Sequence, residues 1–262
     1  MKKQLFVLFV AALSALGSCK EDDNNDPDPN PGKGKVLSKV TRTDKTPGGD
    51  STSISNLTFD NSNRLTSMKI NNNAEVTNFT YDASGNLNKM EHIEGNDKTI
   101  FQITYQNNVP KTGSFITYEN NVGQDTLNLI YTVSNGVVTQ ILQKAGIVEY
   151  AKSTITYADN NVSKVKTELT GLPDMTTTLF YTYGSKKNPF ASPAFKYIID
   201  PYGLSVMFNA KNEITGHKYD GPGTILDFET ITTYTYDSNG YPLTATEKEG
   251  NTVTATVKFD YK

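Results

Sequence analysis

The sequence predicts an all-β protein, built as one large antiparallel meander of about 18 strands and curled into a barrel or half-barrel, with a β-sandwich as the alternative. Thr, Tyr, Asn, Val and Ile dominate residues 36–262, and β-branched and aromatic residues favour strands. Apolar and polar residues alternate within the candidate strands, for example in Phe101–Tyr105 and Val253–Phe259. This alternation is typical of antiparallel strands with one face in water.

A short motif recurs at the ends of these strands: an aromatic residue, Asp or Asn, a few turn residues including Gly or Asn, and an apolar residue. It occurs at 59–65, 81–87, 208–214 and 236–242. The Asp or Asn side chain starts a turn by bonding the backbone two residues on, and Gly or Asn supplies the left-handed residue that a tight hairpin needs. The predicted turn residues are Asp60, Asn63, Asp82, Gly85, Asn212, Asp237 and Gly240. We expect hairpins in succession, interrupted by a longer loop at 186–193.

The amino-terminal residues 1–18 are typical of a secretory signal. Lys2 and Lys3 precede a mostly apolar run, Leu5–Leu16. This run is too short to cross a bilayer, which takes about 20 apolar residues. The only cysteine of the chain, Cys19, follows directly after Gly17 and Ser18. A single cysteine excludes an internal disulfide, so burial alone must hold the domain together.

The order Leu16-Gly17-Ser18-Cys19 resembles a bacterial lipobox. The resemblance implies that Cys19 becomes the mature amino terminus, linked to lipid and acylated, so that the membrane is a partner through this anchor. The residues that follow resemble the surface-export signal of Bacteroidetes lipoproteins; they are Lys20, Glu21, Asp22 and Asp23. This second resemblance implies display on the outer face of the outer membrane.

Three segments follow from these features: the signal peptide at 1–18, the lipidated cysteine with a disordered acidic tether at 19–35, and a repetitive antiparallel β-domain at 36–262. Repeated Asp, Asn and Pro prevent the tether from packing. The motif at 81–87 resembles YD repeats. The whole arrangement resembles an uncharacterised family of Bacteroidetes surface lipoproteins with a porin-like β-domain, which carries no known activity.

The sequence offers little catalytic chemistry. Its two histidines, His92 and His217, fall in different repeats, and we expect both in solvent, His92 on the polar face of a strand and His217 in a turn after Gly216. Histidine, cysteine and acidic residues show no metal-binding spacing, and no nucleophile elbow or phosphate loop is present. We therefore predict no catalytic residue, no metal and no cofactor.

Two pairs of acidic residues are the remaining catalytic candidates. Asp227 with Glu229, and Glu247 with Glu249, have the spacing that places both members on one face of a strand. Paired carboxylates hydrolyse glycosides in many enzymes. Exposed strands also carry acids for solubility, and we favour that interpretation.

The sequence favours a non-catalytic surface lipoprotein of the outer membrane that binds a glycan or another extracellular polymer. The alternative is a structural or accessory subunit that docks on an outer-membrane partner; a hydrolase or a membrane-spanning pore is less favoured. A net charge of −3 leaves no basic surface for nucleic acid. An exposed group of tyrosines in a groove would favour glycan binding, and a continuous exposed apolar patch would favour docking.

Overall fold

The computed structural model of the chain describes residues 35–71, 74–192, 194–203, 205–223 and 227–262. In these residues sixteen antiparallel strands follow one another around a closed barrel, and the first strand pairs with the last. The predicted meander and its barrel form are confirmed. The sheet closes completely, with 16 strands, and is neither a half-barrel nor a sandwich.

The strands are β1 (Leu37–Thr46), β2 (Gly49–Phe59), β3 (Leu65–Ile70), β4 (Glu75–Tyr81), β5 (Leu87–Glu94), β6 (Asp97–Gln106), β7 (Val109–Glu119), β8 (Val122–Ser134), β9 (Val137–Ala145), β10 (Val148–Ala158), β11 (Asn161–Leu169), β12 (Leu172–Lys187), β13 (Asn212–Asp220), β14 (Phe228–Tyr236), β15 (Pro242–Glu249) and β16 (Thr252–Tyr261). One short helix, α1 (Val206–Asn209), lies between β12 and β13.

The two ends of the barrel are distinguished by the chain termini of the described domain. Val36 and Lys262 exchange backbone hydrogen bonds of 3.1 and 2.9 Å at one end, which we call the upper end. Because successive strands alternate in direction, the motif turns at 60–64, 82–86 and 237–241 also lie there. The opposite, lower end carries the other set of turns.

Tyrosine hydroxyls join consecutive hairpins at the upper end. The β3–β4 ladder starts only at the pair Ser67 and Asn78, so the strands separate above it and leave a seam. Across this seam the hydroxyl of Tyr81 donates to the backbone oxygen of Leu65 over 2.6 Å. The same bond joins Tyr105 to Leu87 (2.7 Å), Tyr157 to Val138 (2.8 Å), Tyr183 to Val162 (2.6 Å) and Tyr261 to Pro242 (2.8 Å). The recurring aromatic residue of the motif therefore holds neighbouring hairpins together.

The segment between β12 and β13 lies inside the barrel; we call its described residues, 188–192, 194–203 and 205–211, the plug. The ring centroids of Phe195 and Phe79 of β4 lie 5.5 Å apart. The backbone oxygen of Ile199 accepts a 2.6 Å hydrogen bond from the hydroxyl of Tyr131 of β8. Phe190 contacts Phe259 of β16 at 6.0 Å. Contacts with strands so far apart in the sheet require the plug to lie in the lumen.

The plug is longer than the loop expected at 186–193, and much of it is buried rather than exposed. Residues such as Ile198, Ile199 and Phe208 are among the least accessible of the core. A barrel of 16 strands is too wide for its own wall side chains to fill. The plug supplies the missing apolar volume, so the core of this domain is the inside of the barrel.

Charged pairs cover the outer wall. Lys39 and Asp260 lie 3.1 Å apart across β1 and β16, and Lys166 lies 2.9 Å from Glu168 on β11. Lys89 and Glu91 form a similar pair on β5 at 3.1 Å. A barrel that crosses a membrane presents an apolar band outward and a polar lumen, which is the opposite arrangement.

Candidate functional site

The seam between β13 and β14 departs from the pattern of the other seams. Its ladder ends at the pair Gly216 and Ile231, which leaves residues 212–215 unpaired with β14. At this seam the hydroxyl of Tyr236 donates to a carboxylate, Oε1 of Glu213, over 2.9 Å, and not to a backbone oxygen. A side chain therefore occupies the place that the backbone takes elsewhere. Departures from a repeated local rule concentrate at functional sites.

Two glycines make room for this arrangement. A Cβ atom on Gly184 would lie 2.2 Å from Oε1 of Glu213, and a Cβ atom on Gly216 would lie 2.0 Å from Oγ1 of Thr182. The β12–β13 register also shifts beside Thr182. Larger residues at 184 or 216 would displace the carboxylate or the strand.

A cleft opens over these three strands, and we call it the β12–β14 cleft. Its volume is about 860 Å³, within the range of roughly 300–1,000 Å³ common for ligand pockets. The lining combines aromatic rings with polar and charged groups, including Phe180, Tyr183, Lys186, Glu229, Tyr234 and Tyr236. Such a mixed lining suits a ligand with apolar faces and many hydroxyl groups.

Glu213 is a buried carboxylate in the lining of the cleft. Only 2% of its surface is exposed. Oε1 accepts the bond from Tyr236, but Oε2 has no hydrogen-bond partner among the described residues. Burial raises the pKa of Glu213, and the hydrogen bond from Tyr236 opposes that rise. The unpartnered oxygen can accept a hydrogen bond from a ligand.

His217 lies on the inward face of β13, two strand positions from the bulged residue Thr215. It is 2% exposed, and neither ring nitrogen has a hydrogen-bond partner among the described residues. Its ring stacks on that of Tyr181, with 5.4 Å between the ring centroids, and packs edge-on against Phe228, with 5.2 Å between the centroids. Burial lowers the pKa of His217 to about 4, so the imidazole is neutral at pH 7. The expectation of a solvated histidine in a turn is wrong.

His92 also differs from the expected solvated residue. Its Nδ1 lies 3.0 Å from Oγ1 of Thr77, and the two atoms share a hydrogen bond on the inward side of β4 and β5. Burial lowers the pKa of His92. Polar residues of β4 and β5, such as Thr77 and His92, therefore also face the inside of the barrel. The alternation of polar and apolar residues in the sequence does not reveal this.

The predicted turn residues lie mostly at the upper end. Asn63, Gly85 and Gly240 have φ of 55°, 80° and 76°. Asp82 accepts backbone N–H bonds from Ser84 and Asn86, both of 2.9 Å, and Asp60 and Asp237 accept equivalent bonds in their own turns. Asn212 is instead the first residue of β13, because Phe208 and Asn209, with which its motif begins, belong to α1. Cys19 and the residues Lys20, Glu21, Asp22 and Asp23 lie outside the described residues.

The two members of each acidic pair lie in different surroundings. Glu247 is buried inside the barrel, where its oxygens accept bonds of 2.5 and 2.7 Å from Arg42, whereas Glu249 is exposed. Asp227 immediately precedes β14 and accepts a hydrogen bond from the backbone N–H of Gly221. Glu229 lies on β14 and lines the cleft. Within the ranges that the structure covers, no group of three or more His, Cys, Asp or Glu side chains is placed to hold a metal ion.

Sequence reasoning missed Glu213 and His217 as site residues. An acid at 213 and a histidine at 217 within one strand were the available signal. Their burial depends on the irregular register beside Thr215 and on the plug, and neither is visible in local alternation.

No family model matches the chain, and no curated protein matches it. Among the solved structures that resemble it are two porin-like proteins. A porin-like protein from Bacteroides uniformis has a TM-score of 0.53 at 14% identity, covering 86% of this chain and 98% of that one. A porin-like protein from Bacteroides vulgatus has a TM-score of 0.53 at 12% identity, covering 87% and 99%. At these identities the likeness establishes a shared barrel fold. Among the described residues, no helix combines the length and apolar character that a bilayer crossing requires.

Proposed function

We propose that this chain is a non-catalytic lipoprotein of the outer membrane, displayed on the cell surface, whose barrel binds a glycan in the β12–β14 cleft. The observation that carries the proposal is Glu213, a buried carboxylate with one oxygen left unpartnered in an aromatic cleft. Sugar hydroxyls supply the missing donors, and the faces of sugar rings stack on aromatic side chains.

The position of the amino terminus supports a tethered domain. Lys35, the first described residue, pairs with Asp237 at 2.6 Å, which places the start of the domain at the upper end. A lipid on Cys19 would therefore hold the barrel by this end. The charged outer wall and apolar interior support attachment by a tether over insertion as a pore, since lysines facing lipid cost about 2–4 kcal/mol each at the bilayer midplane.

The cleft lies near the upper end, because its lining includes Tyr236, the residue before the Asp237 that Lys35 contacts. A tether at 19–35 would therefore have to hold this end away from the membrane for polymers to reach the cleft. Three tyrosines, Tyr183, Tyr234 and Tyr236, line the cleft, but all three are partly buried, so they do not form the exposed group of tyrosines that would favour glycan binding. The accessible ring of the lining is Phe180, and because the chain has no tryptophan, stacking falls to phenylalanine and tyrosine.

A second candidate function has its own observation. Three neighbouring hairpins at the lower end, β7–β8, β9–β10 and β11–β12, expose large apolar side chains, and Ile147 at one tip is 93% exposed. The others in this group are Val122, Val148, Leu172 and Met175. Grouped exposed apolar residues favour a protein partner, as an accessory subunit would require.

A glycan array probed with the full chain carrying Cys19→Ala tests the proposal. We expect binding to at least one polysaccharide without turnover of it, and loss of that binding with Glu213→Gln and Phe180→Ala. The matched control is Leu243→Ala, because Leu243 is 39% exposed and Phe180 is 36% exposed, but Leu243 lies outside the cleft. Binding unaffected by the cleft variants would contradict the assigned site, and release of sugar products would contradict the non-catalytic assignment.

A further inference from the structure

Unpartnered buried polar atoms are concentrated behind the β12–β14 cleft. Of nine such side-chain atoms among the described residues, five belong to these three strands. They are both ring nitrogens of His217, Oη of Tyr181, Oγ1 of Thr232 and Oε2 of Glu213. Buried polar groups in proteins are almost always hydrogen-bonded, so a local group of exceptions indicates that another molecule completes their bonds.

Several polar groups that face inward elsewhere in the barrel are hydrogen-bonded. His92 bonds Thr77 at 3.0 Å, Ser153 bonds Thr167 at 2.8 Å, and Arg42 holds Glu247 with two bonds. The other four unpartnered atoms are scattered over different elements, on Ser67, Asn88, Ser192 and Asp260, so the deficit is concentrated on β12–β14.

Three of the four residues with unpartnered atoms lie on the inward face of neighbouring strands. His217 stacks on Tyr181 of β12, and Thr230 of β14 pairs with His217. Thr232 is the next buried residue along β14 from Thr230 towards the upper end. Glu213 and His217 line the cleft, whereas Tyr181 and Thr232 lie behind its lining.

The plug closes the back of the site. A Cβ atom on Gly203 of the plug would lie 2.4 Å from the hydroxyl oxygen of Tyr181 and 3.3 Å from Leu179. A molecule that enters through the β13–β14 seam therefore meets the plug and has no continuation through the wall. Such a site admits the end of a chain, whereas the middle of a polymer needs a groove that is open at both ends.

We infer that the cleft takes its glycan end-on, with the terminal sugar unit inserted through the seam and its hydroxyls bonded by Glu213, His217, Tyr181 and Thr232. This inference rests on the proposed glycan function. The chemistry matches: neutral His217 offers one donor and one acceptor, the hydroxyls of Tyr181 and Thr232 each offer both, and Glu213 accepts. A terminal sugar unit presents several hydroxyls that act as donor and acceptor.

A comparison of chain ends with chain interiors tests the inference. The probes are laminarin, xylan, dextran, inulin and mannan, each intact and after partial acid hydrolysis, compared at equal sugar mass by calorimetry with the full chain carrying Cys19→Ala. End-on binding predicts that the sugar mass needed for half-saturation falls in proportion to the number of ends created. Binding that is unchanged or weakened by hydrolysis overturns end-on recognition and leaves the glycan function standing. Absence of binding to either form overturns the glycan function, and this inference with it.

Isosteric variants give an independent readout. Thr232→Val and Tyr181→Phe each remove one unpartnered polar atom, so we expect an unchanged or higher melting temperature without ligand, together with about tenfold weaker binding. Thr77→Val is the matched control, because its hydroxyl is already bonded to His92. That variant should lower the melting temperature and leave binding unchanged. Unchanged affinity in both Thr232→Val and Tyr181→Phe would overturn the assignment of these residues.

Discussion

The hydroxyl of Tyr81 donates to the backbone oxygen of Leu65 over 2.6 Å, at a level of the barrel where the backbone ladder between their strands has already ended. Phe59, at the same position of another motif, lacks this hydroxyl, so the position accepts Phe. We expect Tyr81→Phe to lower the free energy of unfolding by about 1 kcal/mol in urea titrations. Tyr118→Phe serves as the control. The Nζ atom of Lys98 lies 4.5 Å from the centroid of the Tyr118 ring, and this contact with the ring is kept when the hydroxyl is removed. Equal effects of the two changes would refute a specific role for the seam bond.

The turn at Gly85 supplies a second prediction. Its φ of 80° is unfavourable for any residue with a branched Cβ. Gly85→Val should lower the free energy of unfolding by about 1 kcal/mol or more. Gly123→Val is the matched control, because Gly123 is an exposed strand residue whose added Cβ would make only ordinary contact with Tyr118 at 3.7 Å. If both variants melt alike, the left-handed turn is not what the motif glycine provides.

The buried imidazole of His217 gives a pH dependence with a defined sign. Its pKa is about 4 in the fold, and the unfolded chain has the ordinary value near 6.5. The unfolded state therefore binds the proton first, and stability falls as the pH decreases from about 6.5 to about 4, by roughly 3 kcal/mol at most.

His217→Phe should abolish this part of the pH dependence. Burial raises the pKa of Glu213 and raises that of Glu247 to about 7, and these groups act in the opposite direction, so the quantity to measure is the difference between wild type and variant across this pH range. Thr230→Val, next to His217 and without a titrating group, should shift stability equally at every pH. A constant difference between wild type and His217→Phe would show that the pKa of His217 is the same in the folded and the unfolded chain, which would contradict a pKa lowered by burial.

The anchor prediction concerns Cys19. Metabolic labelling with a palmitate analogue should tag the wild type, and Cys19→Ala should lose both the label and the association with membranes. The variant keeps the signal residues 1–18, so secretion itself is the internal control. Full membrane retention of Cys19→Ala would contradict the lipoprotein assignment.

We expect surface display to depend on the residues next to the proposed anchor. Replacing Lys20, Glu21, Asp22 and Asp23 with Ala should leave palmitate labelling intact but make the protein inaccessible to protease added to whole cells. Replacing Asn24, Asn25 and Asp26 with Ala is the control for a change of tether composition alone. Unchanged accessibility in the first variant would reduce the acidic run to a spacer.

Local sequence patterns predicted the hairpins because each one is specified by adjacent residues. The alternation in Phe101–Tyr105 and the turn at Asp82–Gly85 need no knowledge of distant contacts. A curled sheet also followed from chain length and from one apolar face, but its complete closure did not, because a half-barrel or a sandwich would bury that face as well. The plug did not follow, since Phe195 and Ile199 lie in a segment without period and are buried only because a lumen of the right width surrounds them.

The site was hidden for a related reason. Glu213 belongs to a stretch that matches the repeated motif, so its sequence predicted one more hairpin. The preceding residues form α1 and enter the lumen instead, and the β12–β13 register shifts beside Thr215. Non-local packing therefore decides where the carboxylate of Glu213 points, and only the three-dimensional arrangement brings it to Tyr236 and His217.

Closure of the ring between β1 and β16 has a consequence for biogenesis. Val40 pairs with Phe259, so a chain made from its amino terminus cannot complete the pairing of β1 until β16 has been made. Throughout that interval β2 can pair with one edge of β1 while the other edge stays open, and contacts of such large sequence separation form slowly. Lys39 and Lys45 on β1 are the kind of charged residues that discourage edge-to-edge aggregation. Folding of this domain therefore depends on keeping one edge of β1 unpaired and soluble until the other fifteen strands have been made.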